Sequence, residues 1–274
     1  MGTTCAVHPG AEATFTCSRC GAFACQACVS PVELLCAKCE GLRGSVLGSD
    51  VSASGLIGDS FRLVARFGPA VATFAVLEAV LGVALSAAGA SAPQSTGFTI
   101  VFGLLSIVVN TIVQGAWISL LASAAQGTPI GIGPALGRGA AVALPLFACN
   151  LILGIGVGFA TLLLIVPGII LALGLSTAGP AVVISRTNPF EALSESWNVT
   201  SGHKGTLFVA FLGAGVVALV VVFAVIVASN MMASAMPRGW LVFSLARGVF
   251  TNFAMAPLLT LPVLAYLRLS RAQA

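Results

Sequence analysis

Seven of the eight cysteines in this 274-residue chain fall between positions 5 and 39, and with one histidine they form four pairs of the same spacing. The pairs are Cys5-x-x-His8, Cys17-x-x-Cys20, Cys25-x-x-Cys28 and Cys36-x-x-Cys39. Two intervening residues let a tight turn aim both side chains at one ion, with Zn–S of ~2.3 Å and Zn–N of ~2.0–2.1 Å. Eight ligands fill two tetrahedral sites and leave no open position. The expected role of the zinc is therefore structural, because a catalytic zinc keeps one place for water. A disulfide framework would need an oxidising compartment, and the N-terminus lacks the apolar stretch of a secretory signal. A redox CxxC usually comes singly, near a βαβ pattern, and neither alternative gives His8 a role.

Few apolar residues surround these ligands; Phe15, Phe23, Val32, Leu34 and Leu35 are most of them. A core that small cannot hold a fold, so metal binding must supply the folding free energy. The stretch CAVHPGAEATFTCSRCGAFACQACVSPVELLCAKC resembles the bacterial B-box-type zinc finger over about residues 5–39. The resemblance implies a cross-brace, with Cys5, His8, Cys25 and Cys28 on one zinc and Cys17, Cys20, Cys36 and Cys39 on the other. Spacing alone also permits sequential pairing. B-box modules act in interaction or assembly, which implies a protein partner or self-association through residues 1–42. The RING cross-brace is geometrically related, but a ubiquitin-ligase role does not suit a chain whose remainder reads as a bacterial membrane protein.

That remainder is set by composition. The chain is 58% hydrophobic and 7% charged, with a mean hydropathy of +1.07, against about 25% charged residues in a soluble domain. Half of the charged residues lie in the first 66 positions, which divides a small polar head from a membrane body. The net charge of +4 comes without a Lys/Arg run, so nucleic-acid binding has no electrostatic footprint. The Gly/Ser-rich residues 43–60 read as a flexible linker between the zinc domain and a membrane domain at 61–274. Within the junction Ile57, Phe61 and Val64 oppose Arg62 and Arg66, the pattern of a short interfacial helix.

About 20 residues cross a bilayer. Long apolar runs near 67–88, 98–125, 141–165, 168–185, 205–229 and 240–267 predict six spans, the third and fourth joined by a tight turn at Val166-Pro167-Gly168. The expected fold is an α-helical integral membrane bundle carrying a small two-zinc cross-brace domain. With the N-terminus inside, cytoplasmic segments hold Arg19, Lys38, Arg43, Arg62, Arg66, Arg138, Arg186, Lys204, Arg268 and Arg271, while the outer connections hold only Arg238. This positive-inside bias predicts a multi-pass protein of the bacterial inner membrane with both termini in the cytoplasm, where thiolates stay reduced.

The connection SRTNPFEALSESWNVTSGHKG carries a capped helix. Asn188 is the N-cap, Pro189 the first helical residue and Glu191 the partner of a capping box, while Gly202 stops the helix. Phe190, Leu193 and Trp197 recur at helical spacing opposite Glu191, Ser194, Glu195 and Asn198, as in an interfacial helix. Ala135-Leu136 in the 128–138 connection answers Ala192-Leu193, a hint of internal duplication. Together IGDSFRLVARFG, IVPGIILAL and AGPAVVISRTNPFEALSESWNVTSGHKG resemble a membrane domain found in some glycerophosphoryl diester phosphodiesterases and in many uncharacterised integral membrane proteins. That resemblance implies a fold and no chemistry, since no catalytic phosphodiesterase region is present in the sequence.

The polar groups inside the spans are Glu78, Asn110, Gln114, Asn150, Arg247 and Asn252. Intramembrane ionisable groups are costly and mark functional candidates. Glu78 lies about 18 Å from the inner side and Arg247 about 10 Å from the outer side, at 1.5 Å per residue, so their depths nearly coincide in a core of about 30 Å. They could pair, Glu78 could be protonated, or each could face a wet crevice. Asn110 and Gln114 share one helix face and are expected to bond across helices. Gly154-x-x-x-Gly158 would permit close packing, and Cys149 reads as a small apolar residue. Ser176 lacks a base, since one histidine is a zinc ligand and His203 lies in a loop, which argues against an enzyme. The expected function is therefore non-enzymatic, a zinc module on a membrane anchor mediating interaction or regulation. The alternative is a transporter or lipid-handling protein using a polar crevice near Glu78 and Arg247.

Overall fold

The computed structural model describes residues 5, 10–16, 21, 23–26, 51–90, 95–235 and 240–273. In the head, strands β1 (Phe15–Thr16) and β2 (Phe23–Ala24) pair antiparallel, with Phe15 opposite Ala24 and Thr16 opposite Phe23. Gly21 takes φ +71°, a left-handed turn conformation that suits glycine, just before β2.

The body begins with helix α1 (Ala53–Arg66), so the last part of the Gly/Ser-rich stretch is helical. The Ser52 hydroxyl accepts the Gly55 N–H at 3.1 Å and starts the helix, while Leu56, Asp59, Ser60, Leu63 and Val64 form its buried stripe. There follow α2 (Gly68–Ala90), α3 (Thr96–Ala125), α4 (Ile132–Ala141), α5 (Ala143–Leu163), α6 (Ile165–Gly174), α7 (Ala178–Ser185), α8 (Pro189–Thr200), α9 (Lys204–Ala235) and α10 (Trp240–Gln273). Six stretches are long and apolar enough to cross a membrane: α2, α3, α5, α6 with α7, α9 and α10. Their outward residues include Leu151, Ile155, Phe159, Leu219, Val220 and Phe223, a surface suited to lipid rather than water. The architecture is that of a multi-pass membrane protein.

The short helices recur in register with the spans. Helix α1 precedes α2 and α3, α4 precedes α5 and α6–α7, and α8 precedes α9 and α10. The duplication read from sequence is thus one part of a pattern that occurs three times. Ala135 of α4 and Ala192 of α8, equated by sequence, are both fully buried.

Two local expectations are corrected. The hairpin between the third and fourth spans turns on Leu164, whose extended backbone (φ −156°, ψ 131°) separates α5 from α6. Val166, Pro167 and Gly168 form the first turn of α6, where a proline costs no intrahelical hydrogen bond. The fourth span is also discontinuous, because Leu175–Thr177 interrupts it between α6 and α7.

Close packing is done by glycines other than those in the 154–158 motif, which have open space where a Cβ would stand. A Cβ on Gly139 of α4 would come within 2.3 Å of the Ile112 carbonyl oxygen and 2.6 Å of the Ala116 nitrogen, so α3 and α4 touch backbone to backbone. Gly248 of α10 sits against Ala79 of α2, where an added Cβ would stand 2.9 Å from the Ala79 Cβ.

Candidate functional site

The crossing of Ala79 and Gly248 puts their chain neighbours Glu78 and Arg247 at one level, as the depth arithmetic required. The two residues line one cavity of about 590 Å³ between α2 and α10, together with Ser86, Ser244, Thr251 and Asn252. They do not pair: among the described residues neither makes an ion pair or a hydrogen bond. Glu78 is half-buried, and Arg247 is exposed.

Glu78 also borders a second cavity, of about 710 Å³, walled by α3 and α5. There the Asn150 side-chain N–H donates to the Gln114 carbonyl oxygen at 2.7 Å, bonding α5 to α3 as expected for a span amide. Asn110 turns back on its own helix and donates to the Ser106 carbonyl at 2.8 Å. Trp117 lines the same cavity, packs against Phe74 in a tilted arrangement with ring centroids 4.9 Å apart, and keeps a buried indole N–H without an acceptor among the described residues. Cys149 is fully buried in the apolar core.

Helix α8 is built as its sequence requires at the ends, and its small residues seat it. Asn188 caps it, its side-chain oxygen accepting the Glu191 N–H at 2.9 Å, and Gly202 (φ +80°) closes it. The return bond from the Glu191 side chain is not made among the described residues, so the capping box is half formed. The helix docks by its small residues: Ala192, Ser196, Val199 and Thr200 are buried, whereas Phe190 is 74% exposed. Of the predicted apolar residues, Phe190 is exposed, Leu193 packs partly against the core and Trp197 lies against α6. Ser196 and Thr200 both donate to the Gly174 carbonyl oxygen at 3.0 Å, occupying the acceptor freed where α6 ends. The Trp197 ring lies over Gly174, where a Cβ would approach to 2.4 Å, and the Lys204 ammonium stands 3.1 Å from the ring centre.

The strongest polar cluster was not apparent from sequence. Asp59 and Arg268, 3% and 5% exposed, form a buried ion pair between α1 and the end of α10, and Arg62 reaches the same carboxylate at 2.8 Å. Two residues earlier, Tyr266 donates to Glu195 of α8 and shares a hydrogen bond with Ser185 of α7. The end of α10 therefore clasps two of the three short helices. The available signals were Asp59 on the apolar stripe of α1 and Tyr266, the chain's single tyrosine.

Of the eight predicted zinc ligands, Cys5 and Cys25 are described, and His8, Cys17, Cys20, Cys28, Cys36 and Cys39 lie outside the described residues. Cys5, Ala24 and Cys25 form one buried cluster flanked by Ala11 and Phe15. Two hydrogen bonds frame it, from the Cys5 N–H to Ala11 and from the Thr14 N–H to Ala24, each 3.0 Å. Among the described residues no three His, Cys, Asp or Glu side chains are grouped to hold a metal. Comparison with family models, curated proteins and solved structures gives no match to this chain.

Proposed function

We propose that this chain is a non-enzymatic protein of the bacterial inner membrane, with cytoplasmic termini, whose N-terminal module binds two structural zinc ions and recruits a protein partner. The observation that carries the reading is the joint burial of Cys5 and Cys25, twenty positions apart, in one small cluster. That proximity favours the cross-brace of the B-box-type finger over sequential pairing, because both thiols belong to the first site of the cross-brace. Cys5, His8, Cys25 and Cys28 would hold one zinc, and Cys17, Cys20, Cys36 and Cys39 the other. When bound, zinc supplies the folding free energy that so small a core lacks. The body is read as the membrane domain found in some glycerophosphoryl diester phosphodiesterases. It serves as an anchor that raises the module's effective concentration near membrane-bound partners.

Co-purification from native membranes, with and without residues 1–42, tests this. The partners are expected to disappear with the head and with Cys17→Ala, while membrane insertion persists on the apolar spans. An unchanged partner set overturns the adaptor reading. A second reading, lipid handling, is favoured by one observation of its own: two intramembrane charges that share a cavity without meeting.

A further inference from the structure

Glu78 and Arg247 present a demand that the protein itself does not meet. Each is an ionisable group inside a span, and neither has a protein partner among the described residues. A lone charge at that depth is costly, and it is retained where something binds it. The two line the same cavity, about 590 Å³, within the range of small-ligand sites. A ligand that satisfies both must bring a positive donor to the carboxylate and an anionic acceptor to the guanidinium. Guanidinium matches phosphate in a two-pronged hydrogen bond, and a primary ammonium gives the carboxylate up to three donors.

The rest of the groove says how such a ligand would arrive. Ser86 and Ser244 lie toward the ends of α2 and α10 nearest residues 90 and 240, ahead of the charges, with Thr251 and Asn252 beyond. These hydroxyls and the amide make a polar strip down one side of a helix pair whose outward face is apolar, including Val76, Val80 and Phe250. Arg247 lines the groove and is exposed, so its guanidinium is accessible to a ligand from the membrane.

We infer that the α2–α10 groove binds the head group of a membrane lipid carrying both an ammonium and a phosphate, a phosphatidylethanolamine-type head group, with the ammonium against Glu78 and the phosphate against Arg247. This deepens the lipid-handling reading and rests on the groove alone, not on the zinc module.

The test is native mass spectrometry of the full chain in nanodiscs holding equal amounts of phosphatidylethanolamine and phosphatidylglycerol with identical acyl chains. The chain should retain phosphatidylethanolamine about tenfold or more over phosphatidylglycerol, the scale of one charged hydrogen bond. Glu78→Gln should erase the preference, and Arg247→Gln should lower retention of both lipids by about tenfold. Glu78→Asp and Arg247→Lys keep the charges and should keep the preference, so the result does not depend on a neutralised variant folding well. Deleting residues 1–42 should change nothing, which separates this proposal from the adaptor reading. Equal retention of the two lipids, a preference that survives Glu78→Gln, or retention unchanged in Arg247→Gln overturns it. Displacement of the lipid by soluble phosphoethanolamine at similar concentration overturns the lipid as the source.

Discussion

The two charged regions of the membrane body solve opposite problems. At the end of α10, Asp59 and Arg268 meet in a buried ion pair that the exposed Arg62 also reaches, and Tyr266 bonds both Ser185 and Glu195. In the α2–α10 groove, Glu78 and Arg247 stand at one level and leave each other unpaired. The same residue types therefore have different work. Charges that find protein partners tie helices together, while charges that find none leave room for something else to bind. Depth alone does not separate the two cases; the partners do.

Breaking the first region should have the largest effect. Asp59→Ala removes the carboxylate that faces the buried Arg268 and should cost about 3–5 kcal/mol. Adding Arg268→Met should restore part of that loss. Chemical denaturation of the purified protein in detergent reads both, and a double variant as unstable as the two losses combined would remove the ion pair from the account.

The next effect concerns the close approach that seats the second short helix. Gly139→Ala pushes a methyl into the α3 backbone and should destabilise by about 1–3 kcal/mol, with Gly154→Ala as the neutral control. Thermal unfolding of the two variants side by side distinguishes them. Smaller again is Thr200→Val, which removes one of two donors from the Gly174 carbonyl and should cost about 1 kcal/mol. Amide exchange around the α6–α7 break should then quicken. Smallest is Glu78→Gln. Because no protein group depends on that carboxylate, stability should stay within about 0.5 kcal/mol. A large loss would place Glu78 with Asp59 among the structural charges.

What could be read in the sequence was whatever depends on one segment. The six spans follow from run length, and the cap at Asn188 and the stop at Gly202 follow from local backbone chemistry. The level of Glu78 with Arg247 could be counted, since helical rise is constant. What failed depended on partners from distant segments. The Asp59–Arg268 pair spans 209 positions, and the place of Asp59 on an apolar stripe signals burial without naming its partner. The spacing of Phe190, Leu193 and Trp197 was legible along α8, while the inward packing of the small Ala192 and Ser196 against other helices was not. The broken fourth span was hidden for the same reason: its freed carbonyl is satisfied by hydroxyls from α8, twenty-two and twenty-six positions on.

Both regions belong to the body, which we propose anchors a zinc-binding head. The most direct measurement is elemental analysis of the full-length protein purified without chelators. About two zinc ions per chain are expected, falling to none after a strong chelator as the head unfolds and the helical signal of the body persists. Protein that is folded and contains no zinc would contradict the account.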